Sequence, residues 1–346
     1  MSRYILTNSE IAEADKITIK NGLPSLQLME NAGKAVFKNL PLKNLHKILI
    51  ICGPGNNGGD GFVVAKELIK AKKSIDLFFP FKKSSQSIDC KYYSDKIDKN
   101  NFISKVENLQ QYDLIIDALF GTGLSRYISD NLISLIKEVN TSSVPVYAID
   151  IPSGINGENS SPQPEAFKCQ KTITFFCKKK CHLLFPSKKY CGEVIVEDIG
   201  IKKEVMKTIN PKIKKNDPNL WIKNFPFPSP IDHKYSRGLL IVNTGPKFQT
   251  GAARLAGRSA LRVGAGAVRL ICDKDSAEVL EPQISVEMLS VINEKNDLLK
   301  ILKDKKITSV LVGPGNGVND ETKARTLLAL AMVDHVVIDA DAISCF

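Results

Sequence analysis

Short apolar runs alternate with amphipathic segments over roughly the first 200 residues of the chain. The candidate strands lie at 47–52, 74–79, 113–118, 144–149, 171–176 and 193–196. The segments at 61–71 and 129–140 instead place apolar residues at helical spacing. Two further helices are predicted before the first strand, and the first of them opens with the capping box of Thr7 and Glu10. This alternation predicts an α/β fold with a doubly wound, mostly parallel sheet that is covered by helices on both faces.

The alternation is interrupted at residues 211–230, where prolines cluster, most densely in the sequence FPFPSP at 225–230. Such proline density is typical of a linker between domains. A second α/β pattern follows, with candidate strands at 239–243, 267–271, 309–312 and 336–338 and a helix at 250–263. We therefore predict a first domain over residues 1–210, a proline-rich linker over 211–230 and a second domain over 231–346. The second domain is expected to be incomplete, because a sheet begun in this way normally needs further strands.

The composition is that of a globular protein. Of the 346 residues, 43% are hydrophobic and 25% are charged, as in ordinary globular domains. No apolar run approaches the roughly 20 residues that a transmembrane helix needs, and the N-terminus lacks the apolar core of a signal peptide. We therefore expect a cytoplasmic protein without a membrane partner. The net charge of +11 comes mostly from lysines spread along the chain without a basic-aromatic array, which favours a small anionic ligand over nucleic acid.

The eight cysteines show no regular spacing, which favours reduced thiols over a disulfide framework. Three of them lie close to a histidine in the sequence, in the group Cys177, Cys181, His182 and Cys191. This group invites comparison with zinc sites, but it lacks the C-x-x-C spacing that is common in them. Unpaired thiols are the favoured interpretation, and a zinc site is the alternative.

Three polar, glycine-containing segments follow candidate strands of the first domain. They are GPGNNGGDG at 53–61, DALFGTGLSR at 117–126 and DIPSG at 150–154. Because open α/β sheets bind ligands at the carboxyl ends of their strands, the three segments are expected to meet at one edge of the sheet. The first segment also fits the G-x-G-x-x-G fingerprint, but no acidic residue follows the second strand, which ends in FFPF at 78–81. A conventional NAD-dependent dehydrogenase is therefore disfavoured.

The residues of these segments indicate dinucleotide binding and acid–base chemistry. Their glycines present backbone N–H groups to a pyrophosphate, and Arg126 adds a positive charge. Asp117 and Asp150 end apolar strands, where a carboxyl can act as a general acid or base or can bind a cation. The oxygens of Asn57, Asp117 and Ser153 suit a hard cation better than zinc. The alternative for Asp117 is that it caps the following helix.

Several segments of the first domain resemble the NAD(P)HX epimerase domain. They are LMENAG at 28–33, the glycine segment at 53–61, Asp117 with FGTG at 120–123, DIPSG at 150–154, TITF at 172–175 with Lys179, and Gly192 with DIG at 198–200. This resemblance implies a Rossmann-like fold and a metabolite-repair enzyme. Such an enzyme interconverts the R and S forms of NADH or NADPH that have been hydrated at carbon 6 of the nicotinamide ring.

The second domain resembles the first half of an ADP-dependent NAD(P)HX dehydratase, which has a ribokinase-like fold and removes water from the S form. The matching segments lie at 234–238, 250–253, 263–267, 313–317 and 339–341. Two motifs of that family, a His-Pro-Gly loop and a late Gly-Thr-Gly-Asp segment, are not found after Asp341. We therefore expect ADP or ATP to bind only in a complete dehydratase domain. The dehydratase activity of this chain is expected to be lost unless a separate polypeptide supplies the missing part.

The resemblance also implies which residues act. Asp150 is expected to be the acid or base, and Lys179 is a second catalytic candidate, although with Lys178 and Lys180 it could form a solvated charge run. Asn57, Asp117 and Ser153 would bind one potassium ion. The substrate, NADHX or NADPHX, would be bound in the first domain by Asn56, Asn57, Gly58, Gly59, Asp60, Gly121, Thr122, Gly123, Leu124, Ser125, Arg126, Tyr127 and Asp150, and in the second domain by Ala253 and Gly317.

Two other functions stay open at this point. One is a non-catalytic, nucleotide-binding interaction module, and the other is a small-molecule kinase built on the second domain. The intact polar segments argue against the first, and the missing nucleotide motif argues against the second. Self-association of the chain and a separate dehydratase partner are further expectations.

Overall fold

The computed structural model describes residues 3–124, 127–294 and 296–346. The chain divides into two compact units, Met1–Asp217 and Pro218–Phe346. The division falls inside the proline-rich segment at 211–230, and Ile213–Lys214 within that segment form a strand of the first unit. No helix within the described ranges is long and apolar enough to cross a membrane.

The first unit alternates strands and helices as its sequence predicts. Its strands are β1 (Tyr4–Leu6), β2 (Lys47–Cys52), β3 (Ser74–Phe78), β4 (Phe102–Ile103), β5 (Leu114–Ala118), β6 (Val146–Ile149), β7 (Lys171–Phe175), β8 (Lys178–Lys179), β9 (Glu193–Glu197) and β10 (Ile213–Lys214). Its helices are α1 (Asn8–Lys20), α2 (Ser25–Lys38), α3 (Asn56–Lys70), α4 (Ile88–Ser94), α5 (Asp130–Thr141), α6 (Lys188–Cys191) and α7 (Val205–Ile209).

Seven of these strands form one parallel sheet in the order β4-β3-β2-β5-β6-β7-β9. The chain runs from β2 outward to β4, returns to pair β5 with the other side of β2, and continues outward to β9. Alternate residues of β2 fill the two faces: Ile48 and Ile50 pack with α2 and α3, and Leu49 and Ile51 pack with α5. The predicted doubly wound, mostly parallel fold is confirmed, and its switch point lies between β2 and β5, where such folds bind ligands.

A second, three-stranded sheet has the order β10-β1-β8. Strand β1 pairs in parallel with β8, with Leu6 opposite Lys179, and antiparallel with β10. No sequence pattern indicates this sheet, because strands of two or three residues are too short to show a period. The pairing fixes the backbone of Lys179 beside the first strand of the chain.

Helix α3 begins at Asn56, which is earlier than the predicted start at residue 61. Glycine is a poor helix former, so the many glycines of this segment predict a loop. In the structure three of them are part of the helix, because the absence of side chains permits close packing. A Cβ atom on Gly58 would lie 1.8 Å from the carbonyl oxygen of Gly53, and one on Gly53 would lie 1.7 Å from that of Leu119. The amino end of α3 therefore sits directly against the carboxyl edge of the sheet.

The second unit also contains a parallel sheet, as its sequence predicts. Its strands are β11 (Leu239–Asn243), β12 (Ala267–Cys272), β13 (Met288–Val291), β14 (Ile307–Val312) and β15 (His335–Ile338), and its helices are α8 (Gly251–Val263), α9 (Lys274–Leu280), α10 (Asp297–Leu302), α11 (Asp320–Met332) and α12 (Asp341–Ser344). The strands are ordered β13-β12-β11-β14-β15, and each neighbouring pair is parallel. This arrangement confirms the α/β class of the second unit.

Candidate active site

A cavity of about 570 Å³ opens at the switch point of the first unit, a size that is ordinary for a small-molecule site. Its lining includes the catalytic candidate Lys179 and residues from all three predicted segments: Asn56, Asn57, Asp60, Gly121, Thr122, Gly123, Leu124 and Asp150. The three segments meet here because they follow β2, β5 and β6, which are neighbours in the sheet.

The two catalytic candidates form a buried ion pair on the cavity wall. The ammonium of Lys179 lies 2.5 Å from Oδ1 of Asp150 and 2.6 Å from Oγ1 of Thr174, which itself donates to Asp150 Oδ1 at 2.9 Å. The side chain of Lys179 is 1% exposed. In contrast, Lys180 is partly exposed and its ammonium lies 3.5 Å from Glu158. The interpretation of Lys179 as part of a solvated charge run is therefore wrong.

Asp150 is ionised in spite of its burial. Burial by itself would raise the pKa of this carboxyl, but the charge and hydrogen bond of Lys179, with a smaller effect from the hydrogen bond of Thr174, hold the pKa below its usual value. The backbone of Asp150 has a φ of 66°. This left-handed conformation is strained for most residues and persists where surrounding groups hold it, often at functional sites.

His182 belongs to the same network, although the sequence marks it only as a potential zinc ligand. Its Nδ1 accepts a hydrogen bond from the backbone N–H of Lys179 at 3.0 Å, and its Nε2 donates one to the carbonyl oxygen of Asp150 at 2.9 Å. Burial, together with the charge of Lys179, lowers the pKa of His182 to about 3, so the ring is neutral. Among the described residues no group of three or more His, Cys, Asp or Glu side chains could hold a metal, and the cysteines are free thiols.

Three further carboxyls line the cavity, those of Asp15, Asp60 and Asp89, and the pKa values of Asp15 and Asp60 are shifted upward. Burial, reinforced by the charges of Asp150 and Asp15, raises the pKa of Asp60 well above its usual range, which favours the protonated form of this carboxyl. Asp15 lies on α1, and burial raises its pKa to about 6. No motif indicates Asp15, because it is one polar position of an amphipathic helix. The cavity thus combines one carboxyl whose pKa is lowered, that of Asp150, with two whose pKa values are raised.

Asp117 and Ser153, two of the three predicted potassium ligands, tie the loops after β5 and β6 together. Asp117 Oδ1 accepts hydrogen bonds from the hydroxyl of Ser153 at 2.6 Å and from the N–H of Leu119 at 3.2 Å, and Oδ2 accepts one from the N–H of Ser153 at 2.6 Å. The next helix, α5, has Ser129 as its N-cap, so the alternative that Asp117 caps this helix is wrong. Burial raises the pKa of Asp117 to about 7.

Asn57, the third predicted ligand, lies at the point where the cavity meets these loops. A Cβ atom on Gly121 would lie 3.3 Å from Oδ1 of Asn57 and 3.2 Å from Oδ2 of Asp150, so the two oxygens flank the same glycine. The amide nitrogen of Asn57 is buried without a hydrogen-bond partner. In the described part of the chain, no basic side chain lowers the pKa of Asp117. The oxygens present fit a hard monovalent cation, which would supply the missing counter-charge.

Three other predicted substrate-binding residues of the first unit, Gly58, Gly59 and Tyr127, do not line the cavity. Gly58 and Gly59 lie in the first turns of α3, where the absence of a side chain allows close packing against neighbouring groups. Tyr127 is 85% exposed. Ser125 and Arg126 lie outside the described residues. Direct contact of these five residues with the substrate stays a prediction. The geometry of the cavity does not favour such contact for Gly58, Gly59 and Tyr127.

The two predicted residues of the second unit lie near the carboxyl edge of its sheet. Ala253 is buried in α8, and the N–H of Gly317 donates to Oδ2 of Asp341 at 2.8 Å. Beside them, Nδ2 of Asn243 donates to Oδ1 of Asn316 at 3.0 Å. Polar groups therefore gather at the ends of β11 and β14, the usual position of a ligand site in a parallel sheet.

Known proteins match both units of the chain. Residues 25–181 match the family described as YjeF-related protein N-terminus, and residues 240–346 match the family described as NAD(P)H-hydrate dehydratase. The bifunctional NAD(P)H-hydrate repair enzyme Nnr of Dictyoglomus turgidum is 31% identical over 361 residues, which cover 98% of this chain and 70% of the relative. The chain belongs to this family.

Relatives of the first unit alone support the same assignment. The NAD(P)H-hydrate epimerase of Weissella koreensis is 36% identical over 217 residues, which cover 61% of this chain and 98% of that relative. The solved yeast protein ynu0 shares the fold, with a TM-score of 0.50 at 21% identity, over 61% of this chain and 96% of the yeast chain. The protein is thus an enzyme of NAD(P)H-hydrate repair. Because the dehydratase family matches residues 240–346, the expectation that the dehydratase activity is lost is not supported.

Proposed function

We propose that the first unit interconverts the R and S epimers of NADHX and NADPHX. The observation that carries this proposal is the buried ion pair of Asp150 and Lys179 on the cavity wall. An ionised carboxylate on the wall of a ligand cavity is a candidate general base. The similarity to an NAD(P)H-hydrate epimerase over nearly all of that relative's length supports the same reaction.

In the proposed reaction, inversion at carbon 6 proceeds by breaking the bond between this carbon and its hydroxyl group. The lone pair of the adjacent ring nitrogen assists departure of the hydroxyl as water, which leaves a planar cation, and a water molecule then adds to the opposite face. In this proposal Asp60, whose raised pKa favours the protonated carboxyl, donates the proton to the departing hydroxyl, and Asp150 accepts a proton from the adding water. Lys179 keeps Asp150 ionised for this step.

The dinucleotide portion of the substrate would be bound by backbone N–H groups at the cavity edge. Helix α3 begins at Asn56 beside the cavity, and the amino end of a helix attracts anions. Gly121, Thr122 and Gly123 line the same cavity from the loop after β5. These two elements are our assignment for the pyrophosphate, and they agree with the residues that the sequence predicts.

An assay with both epimers tests the proposal. In the presence of a separate S-specific dehydratase, the protein is expected to make the R epimer disappear faster than it does spontaneously, because removal of the S form draws the R form through the epimerase. Decay of the R epimer at only its spontaneous rate would contradict the proposal. The same assay with ADP and without added dehydratase tests a second activity, dehydration by the second unit, which the family match of residues 240–346 favours.

Potassium is expected to be required for full epimerase activity. Activity should fall when tetramethylammonium is the only cation and return when KCl is added. The substitution Asp117→Asn should raise the half-saturating K+ concentration at least about tenfold, since loss of even an outer partner of a metal ligand costs about 10–100-fold in affinity. Asp113→Asn is the matched control, because Asp113 lies just before β5 and its carboxylate accepts hydrogen bonds from the backbone N–H groups of His46 and Lys47 at the start of β2. Activity that is indifferent to removal of K+ would refute the potassium assignment.

A cytoplasmic location, self-association, binding of ADP or ATP and the choice between NADHX and NADPHX stay predictions. The non-catalytic alternative predicts binding of a pyridine nucleotide without turnover. It gives no reason for a buried lysine to hold Asp150 ionised at the cavity wall, and we therefore favour the enzyme.

A further inference from the structure

His182 contacts Asp150 and Lys179 through their backbones. The ring accepts a hydrogen bond from the N–H of Lys179 and donates one to the carbonyl oxygen of Asp150. Because a backbone N–H only donates and a carbonyl only accepts, these partners require the neutral tautomer with its proton on Nε2. The residue is 2% exposed, so water does not easily replace either partner.

The carbonyl group that His182 contacts belongs to the residue with the strained backbone. Asp150 has a φ of 66°, and its N–H donates to the carbonyl of Ile173 at 2.7 Å. The positions of the two peptide groups that flank Asp150 set the direction of its Cα–Cβ bond, so a displacement of either group would move the carboxylate relative to Lys179 and the cavity. His182 therefore holds the peptide group that follows Asp150, and Ile173 holds the peptide group that precedes it.

We propose that His182 is a positioning residue for the epimerase, which holds the backbone of Asp150 so that its carboxylate faces both Lys179 and the substrate cavity. This inference rests on the proposed function of the first unit. His182 does not line the cavity, so its effect must pass through Asp150. Misplacement of a catalytic group by about 1 Å can cost about 100-fold in rate, and the effect is therefore expected in kcat more than in KM.

An acid–base role for His182 itself is disfavoured by its surroundings. Burial and the charges of Lys179 and Lys178 lower the pKa of the ring to about 3 against the opposing effect of Asp150, so the ring is neutral at any pH where the enzyme would be assayed. Both ring nitrogens are also occupied by backbone partners. The pH profile of kcat should therefore contain no titration that disappears when His182 is replaced.

Two substitutions separate the two hydrogen bonds of the ring. In His182→Gln, the amide nitrogen reaches about as far as Nε2 and can still donate to the Asp150 carbonyl. In His182→Asn, the amide oxygen can replace Nδ1 as the acceptor for Lys179, but the contact with Asp150 is lost. We expect His182→Asn to lower kcat about 100-fold with KM changed less than about threefold, and His182→Gln to keep kcat within about tenfold of the wild type.

Thr172→Val is the matched control for the loss of one buried hydrogen bond. Thr172 is buried on β7, and its hydroxyl donates to the carbonyl of Cys191 at 2.7 Å without contacting Asp150. The inference is overturned if kcat falls equally in Thr172→Val and His182→Asn, or if His182→Gln falls as far as His182→Asn.

These variants distinguish a failure of the inference about His182 from a failure of the proposed epimerase function. If His182→Asn does not fold, His182→Gln decides alone: a kcat within about tenfold of the wild type supports the inference, and a larger loss overturns it. If the wild-type protein does not interconvert the epimers, the proposed function fails first and the inference about His182 falls with it. Wild-type activity with unaffected His182→Asn refutes the inference alone.

Discussion

Asp150→Asn is expected to lower kcat for epimerisation by about 10²–10⁴-fold, which is the range that a positioned acid–base group contributes. The asparagine amide has the shape of the carboxyl group but cannot take a proton from water. Asparagine tolerates the left-handed backbone of this position, and its amide oxygen can still accept hydrogen bonds from Lys179 and Thr174. The substitution therefore removes the base while the fold is kept.

Steady-state turnover of the R epimer and urea unfolding of the same sample measure these two effects. The matched control is Asp98→Asn. The Asp98 carboxylate accepts a hydrogen bond from the N–H of Asn100 at 2.8 Å at the start of a short helical turn, and asparagine caps such turns as well as aspartate does. Retention of more than about a tenth of the wild-type kcat by Asp150→Asn would show that Asp150 is not the base.

Lys179→Met is expected to inactivate the first unit at neutral pH and to destabilise it. Methionine has about the length of the lysine side chain but no charge, so Asp150 stays buried and loses its main counter-charge. Removal of one partner of a buried ion pair typically costs about 3–5 kcal/mol of the free energy of unfolding. The pKa of Asp150 must rise in this variant, because burial then acts with little opposition.

This rise reverses the pH dependence of stability. In the wild type, the pKa of Asp150 is lower in the folded than in the unfolded chain, so its contribution to stability is present above the unfolded pKa and is lost as the pH falls. In Lys179→Met the folded pKa lies above the unfolded one, so stability is greatest at low pH and is lost as the pH rises through the folded pKa. The acid limb of kcat/KM should move to higher pH for the same reason.

Unfolding curves and pH–rate profiles at several pH values test these shifts. Lys180→Met is the control, because its pair with Glu158 is partly exposed and such pairs contribute about 0–1 kcal/mol. Combining Lys179→Met with Asp150→Asn should recover part of the lost stability, since no unpaired charge is then buried. An acid limb that does not move in Lys179→Met would contradict the idea that this lysine keeps Asp150 ionised.

The sequence predicts the large sheet and the meeting of its loops, because both follow from local patterns. Apolar runs of strand length mark the central strands, and the parallel order brings the ends of β2, β5 and β6 together without further information. The sequence alone therefore predicts that the loops carrying Asn57, Asp117 and Asp150 lie near one another. The start of α3 was harder to predict, because glycine has the same low helix propensity in a loop and in a tightly packed helix end.

The supporting parts of the site leave little trace in the sequence. His182 acts on backbone groups, so no particular partner residue accompanies it at a fixed spacing. Lys179 differs from Lys178 and Lys180 only because β8 pairs with β1 and turns its side chain toward Asp150. Asp15 reaches the cavity from a helix that precedes the whole sheet. Each of these depends on contacts between distant parts of the chain, which periodicity does not report.

The small sheet formed by β10, β1 and β8 has a consequence for how the enzyme matures. Its middle strand is synthesised first, and the strand that carries Lys179 is made only after β2 to β7 of the large sheet. Pairings between such distant segments form slowly, since a long stretch of chain must be closed into a loop. A growing or partly folded chain can thus possess most of the cavity wall while Asp150 still lacks its cationic partner. If Asp150 is the base, as proposed, epimerase activity begins only once β8 has paired with β1.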